Sequence, residues 1–574
     1  MHGPQLKTAI GVAVAALDGA GRALVGVAFG HVPDLVVALV DGKLHLCKPA
    51  APSPEMGHID QILPVEFPHR DPVGLSGVQD RFDFGGGEEL SGRNLRLCGQ
   101  ARGVLSIGSA AVDRDSECNG GDEGVHVSGP FAGSDHNLGQ VTLWLDPREP
   151  QTCGKLAPSA LLTLRGPRIM TLPMTERFTG NFTQQDPIPE EAIAAAVEVM
   201  RHGRIHRYNL AGEEQGETAL LEQEFAQLMG AKYCLAVASG GYALATALRA
   251  VGVGHGDKVL TNAFTLAPVP GAIASVGAEP VYVDVTEDLT IDLDDLKAKA
   301  GEAKVLMLSH MRGHLCDMDH LMEICTAAGV TVIEDCAHTM GASWNGTPSG
   351  RHGLIGCYSC QTYKHVNSGE GGLLITDDAD VAARAIMLSG SYMLYSRHLA
   401  APEPEVFERV KYETPNISGR MDNLRAAILR PQLRDLDAQV ARWNDRYRTL
   451  EAGVRDTPGL RVVERPEAEI YVGSSFQFLL LDWAPEAVQD VLSRCAARGV
   501  ELKWFGGAEP VAFTSRYDSW RYAPAQSLPK SDRILAGILD MRVPLTFSLE
   551  DCALIARIIR AEVSAVWQAQ GQQV

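Results

Sequence analysis

Aromatic residues are scarce in this chain, at 6% of 574 residues, and the scarcity is uneven. All 13 tyrosines lie beyond the first 207 residues, beginning at Tyr208, while 25 of the 58 glycines fall within the first 169. A segment without tyrosine and crowded with glycine has few large side chains with which to fill an interior. Long apolar runs are missing as well. No stretch approaches the roughly 18 or more residues that span a bilayer, so no membrane helix is expected. The apolar residues 8–17 (TAIGVAVAAL) behind Lys7 are only a faint echo of a signal-peptide core. Positive charge is outweighed, with 51 Lys and Arg against 71 Asp and Glu and a net charge of -20. That balance argues against nucleic acid or an anionic membrane surface as the main partner. A small anionic substrate is not excluded, since one local basic pocket would serve it. The glycine-rich dinucleotide fingerprint GxGxxG is absent. Of the twelve cysteines, several in apolar segments (Cys234, Cys325, Cys357 and Cys495) read as small buried thiols; a reduced, cytoplasmic protein fits, with neither a metal site nor a redox motif expected.

The chain is long enough for two to four domains, and its texture changes near residue 170. Residues 1–169 are expected to be irregular or weakly β. Stretches such as FDFGGGEELSG (82–92) and CNGGDEG (118–124) read as loops, and residues 35–40 and 141–145 as short strands. Two origins compete: a small β accessory domain, or translation begun upstream of the true start. Met170 and Met174 stand directly before the enzyme-like sequence, and the missing tyrosine favours the second origin.

Beyond residue 185 the pattern is dense and regular. PEEAIAAAVEVMRHG (189–203) and LLEQEFAQLMG (220–230) read as amphipathic helices ended by glycine. Apolar strand-like runs follow at 233–239, 258–262, 280–285, 304–310 and 330–335, separated by helical stretches. They are apolar throughout rather than alternating, as strands buried on both faces must be. The expected fold class is therefore α/β, a mainly parallel sheet sandwiched by helices. In such sheets ligands sit at the carboxyl ends of the strands.

Three features meet that rule. Asp335 closes the strand VTVIED, with His338 three residues later. Alone, such an Asp is better read as a helix cap. Lys364 lies in the short connection YSCQTYKHVNSGEGG (358–372) between two buried strands, among small residues that permit close backbone approach. In ASGGYALATAL (238–248) a strand runs through Ser-Gly-Gly into a helix, whose free N–H groups can cradle a phosphate. A phosphate cradle, a carboxylate for a ring nitrogen and a sequestered lysine are together what pyridoxal phosphate (PLP) requires.

These residues resemble the DegT/DnrJ/StrS family of PLP-dependent aminotransferases, of fold type I, over roughly 185–565. The marks run in order: LEQEFAQLMGAKYCLAVASG, GVGHGDKVL, GAEPVYVDV, SHMRGHLCDMD, VIEDCAHTMGA, the lysine segment, GRMDNLRAAILRPQLRDLDAQVARWNDRY and VPLTFSLEDCALIARII. The resemblance implies a PLP-binding large domain over 185–425, with a seven-stranded type of sheet. A long helix near 421–447 leads into a small α+β domain over 426–574. It also implies residue roles. Lys364 matches the Schiff-base lysine and Asp335 the partner of the pyridine nitrogen. His338 matches the residue on the ring's phenolic oxygen, Ser359 a phosphate-binding serine, and Gly240 and Gly241 the phosphate cradle. Three positions depart from the family pattern. Gly241 stands where Thr is usual. Leu266 takes the place of the aromatic that stacks on the ring, with Phe264 nearby. Ser418 replaces the asparagine that reaches into the neighbouring subunit's site, with Asn416 two residues earlier.

The implied activity is transfer of an amino group from an amino-acid donor, glutamate or glutamine, through a pyridoxamine stage to a keto-sugar, cyclitol or similar carbonyl acceptor. A homodimer with a shared site is implied, with no nucleic acid or membrane as partner. The alternatives are a PLP-dependent dehydratase or lyase on the same fold, for which Lys364 is the wrong residue, and a non-catalytic PLP-binding regulator. Arg204, His206 and Arg207 are candidates to bind an anionic acceptor, although a solvated face is the simpler reading of each. If residues 1–169 are over-extended translation, a chain starting at Met174 should be soluble, should bind cofactor and should melt with the full chain. Protease should meanwhile trim the full chain's N-terminal part readily. A truncated chain that is insoluble or cofactor-free would contradict this.

Overall fold

The computed structural model describes residues 176–571, apart from 392, 510 and 512–515, together with the backbones of short strands between residues 10 and 140. The chain divides into two compact units, Met1–Pro167 and Arg168–Val574. In the first, Ala23–Phe29, Ile10–Leu17, Leu105–Ile107, Pro130–Ala132 and Gly139–Gln140 form an antiparallel sheet in that order. Val36–Val40 and Lys43–Cys47 pair separately. Residues 10–17, with their faint signal-like pattern, are thus part of a sheet. The loops expected at 82–92 and 118–124 and the strand at 141–145 lie outside the described residues.

The second unit is built on a seven-stranded sheet. Its strand order is Glu279–Val283, Lys258–Asn262, Val305–Ser309, Thr331–Asp335, Ile355–Ser359, Gly372–Thr376 and Tyr233–Val237. Every neighbouring pair is parallel except those of Gly372–Thr376, which runs against both its neighbours. The strands are buried along nearly their whole length, because helices cover both faces. One apolar layer contains Leu221, Phe225, Leu306 and Leu429, and the other Leu244, Leu248, Met307 and Ile386. Helices start where Asp or Ser can accept an N–H of the first turn, as Asp317, Asp378 and Asp422 do. Glu190–His202 and Glu217–Met229 end on Gly203 and Gly230 in the left-handed conformation.

The long helix expected near 421–447 is instead two, Asn423–Arg434 and Leu436–Val454, meeting at Asp435. Pro431 has no N–H to give the preceding turn, and the Asp435 N–H bonds Gln432 O, a three-residue step that tightens the end. Beyond it, Arg461–Val462, Ser475–Leu479, Ile538–Arg542 and Lys503–Trp504 form an antiparallel sheet. Its core includes Phe476, Phe478 and Ile559, and it also takes in Phe178 and Phe182, which meet Phe547 edge to face.

Arg207 does not lie on a solvated face and is not free to meet a substrate. It is buried and forms a two-point ion pair with Glu222, at 2.9 and 2.8 Å. Its Nη2 also lies 2.9 Å from His398 Nδ1, and the other ring nitrogen lies 2.7 Å from the Tyr208 hydroxyl. Glu222 further accepts the Ala236 N–H, tying the helix to the edge strand Tyr233–Val237. Arg204 is half-buried against Glu214, and His206 is exposed. Despite the burial that opposes its charge, the Arg207 guanidinium and His398 hold the Glu222 carboxyl down to about 2. Its folded value lies below its unfolded one, so its contribution to stability is complete above pH 4.5 and fades as pH falls towards 2. Replacing Glu222 by Ala strands a buried guanidinium and should cost about 3–5 kcal/mol, read from urea unfolding at pH 7. A cost below about 1 kcal/mol would contradict the pairing.

Candidate active site

Three neighbouring strands carry their last residues to one edge of the sheet. Ser309 pairs in register with Asp335, and Asp335 with Cys357, two residues before Ser359. Lys364 follows in the loop 360–371, which is anchored at several points. Cys360 and Gly371 share a backbone bond of 2.8 Å, Thr362 donates to Gly369, and Gln432 bonds both the N–H and the carbonyl of Asn367. The loop therefore holds its lysine in a fixed place.

The amine of Lys364 lies 2.8 Å from His338 Nε2, and the Arg312 backbone N–H donates to His338 Nδ1 at 3.3 Å. These bonds settle the protons. Nδ1 accepts, so in the neutral ring Nε2 carries the hydrogen and donates to Lys364, which must then offer a lone pair. A neutral amine is what this geometry stabilises. Burial pushes the Lys364 amine down to about 7. Asp335 opposes the shift, while Arg312, Arg542 and Lys503 add to it. Burial, with Lys364 and Arg312 beside it, holds His338 far below its usual range.

Asp335 is buried, with a carboxyl raised by that burial and lowered in part by Lys364. Its oxygens receive the Ala337 N–H at 3.1 Å and, at a long 3.4 Å, the Ser309 hydroxyl. A buried carboxylate with so few donors is short of a cationic partner. Its neighbour Glu334 is saturated instead. It accepts the N–H groups of Gly350, His352 and Gly353 and contacts His310 at 3.0 Å, hanging the next loop from the sheet. His310, Glu334 and Cys336 lie as close as metal ligands would, but those bonds already occupy Glu334.

The turn into the helix Gly240–Ala250 begins at Ser239, whose hydroxyl accepts the Tyr242 N–H at 3.1 Å. A side chain at Gly240 would meet the Ser359 Cβ at 2.8 Å, so glycine is what lets the helix start against Ser359. Gly241 faces open space that would admit a larger residue. The first-turn N–H groups there have no intrahelical partners and can meet an anion.

The structure thus brings Lys364, His338 and Asp335 to one strand edge, and Gly240 and Ser359 into direct contact. Phe264 is committed elsewhere, buried edge to face against Phe505, while Leu266 is half-buried. Ser418 and Asn416 are both exposed, the latter donating to Met387 O. Arg312 and Gln432 escaped the sequence reading. Arg312 lies in a left-handed backbone turn, and Gln432 shows no local signal. Against the expectation of no redox motif, Cys357 and Cys360 do have the Cys-x-x-Cys spacing. Both thiols are buried and free, and burial raises Cys360 to about 12, which leaves no reactive thiolate.

A half-buried amine lowered to about 7, near an under-satisfied carboxylate and on the same strand edge as a helix-start anion cradle, describes a carbonyl-cofactor site on a mainly parallel sheet. The chain belongs to the DegT/DnrJ/EryC1/StrS aminotransferase family, whose sequence pattern matches residues 187–560. It is 34% identical over 260 residues to the L-glutamine:scyllo-inosose aminotransferase of Streptomyces griseus, covering 44% of this chain and 60% of that one. It is 31% identical over 271 residues to a pleiotropic regulatory protein of Geobacillus stearothermophilus, covering 46% and 66%. Among solved structures it resembles the aminotransferase TlmJ from Streptoalloteichus hindustanus, with a TM-score of 0.58 and 23% identity, over 68% of this chain and 100% of that one. The matched stretch spans less than two thirds of the curated relatives' own length. The family's cofactor is pyridoxal phosphate, and the residues present fit it: an amine, a carboxylate awaiting a cation, and a phosphate cradle that a Cβ at Gly240 would close.

Proposed function

We propose that the chain is a PLP-dependent aminotransferase, moving an amino group from an amino-acid donor to a keto-sugar, cyclitol or similar carbonyl acceptor. The reading is carried by the Lys364 amine, half-buried, lowered to about 7 and held 2.8 Å from His338. When bound, the cofactor supplies an electron-accepting ring for breaking the bond between substrate carbon and hydrogen. Lys364 would hold it covalently, and its free amine would move the proton at the substrate carbon. Asp335 keeps the ring nitrogen protonated by pairing with it, and that pairing supplies the donor it lacks. His338 orients the ring through its phenolic oxygen. The N–H groups at Gly240 and Gly241, with the Ser359 hydroxyl, bind the phosphate. A cytoplasmic homodimer with a shared site belongs to the same proposal, supported by family membership and by the exposed apolar Met393, Tyr412 and Ile417.

Asp335→Asn should retain bound cofactor yet lose turnover by orders of magnitude, because a neutral amide no longer favours the charged ring. The checks are the absorbance of bound cofactor and product formation from an amino donor and a keto acceptor. Turnover near that of the unaltered enzyme would remove the role given to Asp335.

A further inference from the structure

Between the strand Val305–Ser309 and the helix Met318–Ala328 the chain makes a short turn, Met311–Gly313, in which Arg312 takes φ 57° and ψ 19°. A residue with a Cβ adopts that left-handed conformation only where its surroundings hold it there. A side chain at Gly313 would meet the His338 and Val472 carbonyls at 3.1 and 3.2 Å, so the turn lies directly against His338.

The C-terminal domain grips this turn at several points. The Arg312 guanidinium lies 2.7 Å from Asp540 Oδ2, with Asp540 fully buried and the Arg312 side chain nine-tenths buried. Gln477 donates to Asp540 Oδ1 at 2.8 Å, and its amide oxygen lies 2.8 Å from His314 Nε2. Arg465 donates to Gly313 O at 2.7 Å, and Glu469 accepts the Leu315 N–H at 3.1 Å. Arg312 carries that grip into the site, since its own N–H meets His338 Nδ1 and His338 Nε2 meets the Lys364 amine.

An imidazole that accepts at Nδ1 has its hydrogen on Nε2 and offers it to a neutral amine. In the other tautomer Nε2 accepts from an ammonium and favours the charged form. One backbone N–H therefore decides which form of Lys364 the ring stabilises. The other groups facing the amine are Asp335, which favours its charge, and Arg312, Arg542 and Lys503, which oppose it. Asp540 stands behind Arg312, and Glu501 and Asp540 act on Lys503. His365, the next residue in the chain, is uncharged, because burial and Lys364 lower it to about 3.

We propose that Arg312 is a positioning residue, whose ion pair with Asp540 holds the turn that sets the His338 ring, so that docking of the small sheet presents Lys364 as a neutral amine. This rests on the aminotransferase reading only for the identity of what Lys364 receives. The role separates from a plain charge effect by sign. Losing the Asp540 carboxylate as a charge makes a nearby ammonium harder to form. Losing it as an anchor frees the turn and the ring, and makes the ammonium easier to form.

The test reads the pH midpoint at which Lys364 becomes reactive in the cofactor-free full chain, using limiting acetic anhydride and mass spectrometry of the Lys364 peptide. The unaltered chain should show a midpoint near 7. Asp540→Asn should raise it by about one pH unit, slowing labelling at pH 7 about fivefold. Arg312→Met loses both charge and anchor and should raise it at least as far. Arg312→Gly loses the same charge but meets no penalty at positive φ, so its midpoint should stay clearly below that of Arg312→Met. That comparison decides the matter if Asp540→Asn fails to fold. The rate at which each chain captures pyridoxal phosphate at pH 7 should follow the same order. A midpoint that falls or stays unchanged in Asp540→Asn, or equal midpoints in the two Arg312 variants, would overturn the positioning role. The expected labelling order without capture of pyridoxal phosphate would keep the role and overturn the aminotransferase reading instead.

Discussion

Keeping an amine neutral at physiological pH takes more than removing water from it, because a nearby carboxylate tends to restore its charge. Here Asp335 does act that way on Lys364, and burial prevails over it with help from Arg312, Arg542 and Lys503. The hydrogen-bond chain from the Arg312 N–H through the His338 ring to the amine adds a directional preference for the neutral form. Asp335 and Lys364 are therefore held near one another without being spent as an ion pair. Each remains available for a ligand with a carbonyl at one end and a basic nitrogen at the other.

The rest of the second unit can be understood as support for that placement. The parallel strands put Ser309, Asp335 and Ser359 at one edge, and Glu334, facing the other way, suspends the loop before the next strand. Gln432 clamps the lysine loop, which ties the break between the helices Asn423–Arg434 and Leu436–Val454 to the position of the amine. Glu222, paired with Arg207, fixes a covering helix to the edge strand Tyr233–Val237 and leaves Arg207 no part in binding substrate.

Much of this was legible in the sequence because burial on both faces leaves a simple trace. Strands such as VLMLS and TVIED are apolar nearly to their ends, where Ser309 and Asp335 turn polar at the ligand edge. Lys364 stood out because a lysine between two such strands has little reason to be there. What stayed hidden depends on partners distant in the chain. Arg207 looked like a surface cation because Glu222 and His398 meet it only in the fold. The cations at residues 312, 503 and 542 come together only once the small sheet has formed. Pro431, inside the helical pattern, is the one local mark in the sequence of the break that follows at Asp435.

The central claim is that Lys364, and no other lysine, is the amine presented to the cofactor. Borohydride reduction of the loaded enzyme, followed by proteolysis and mass spectrometry of the peptides, tests it directly. The account predicts a stable pyridoxyl mass on the peptide containing Lys364. That mass on a peptide containing a different lysine, with the Lys364 peptide unmodified, would contradict it.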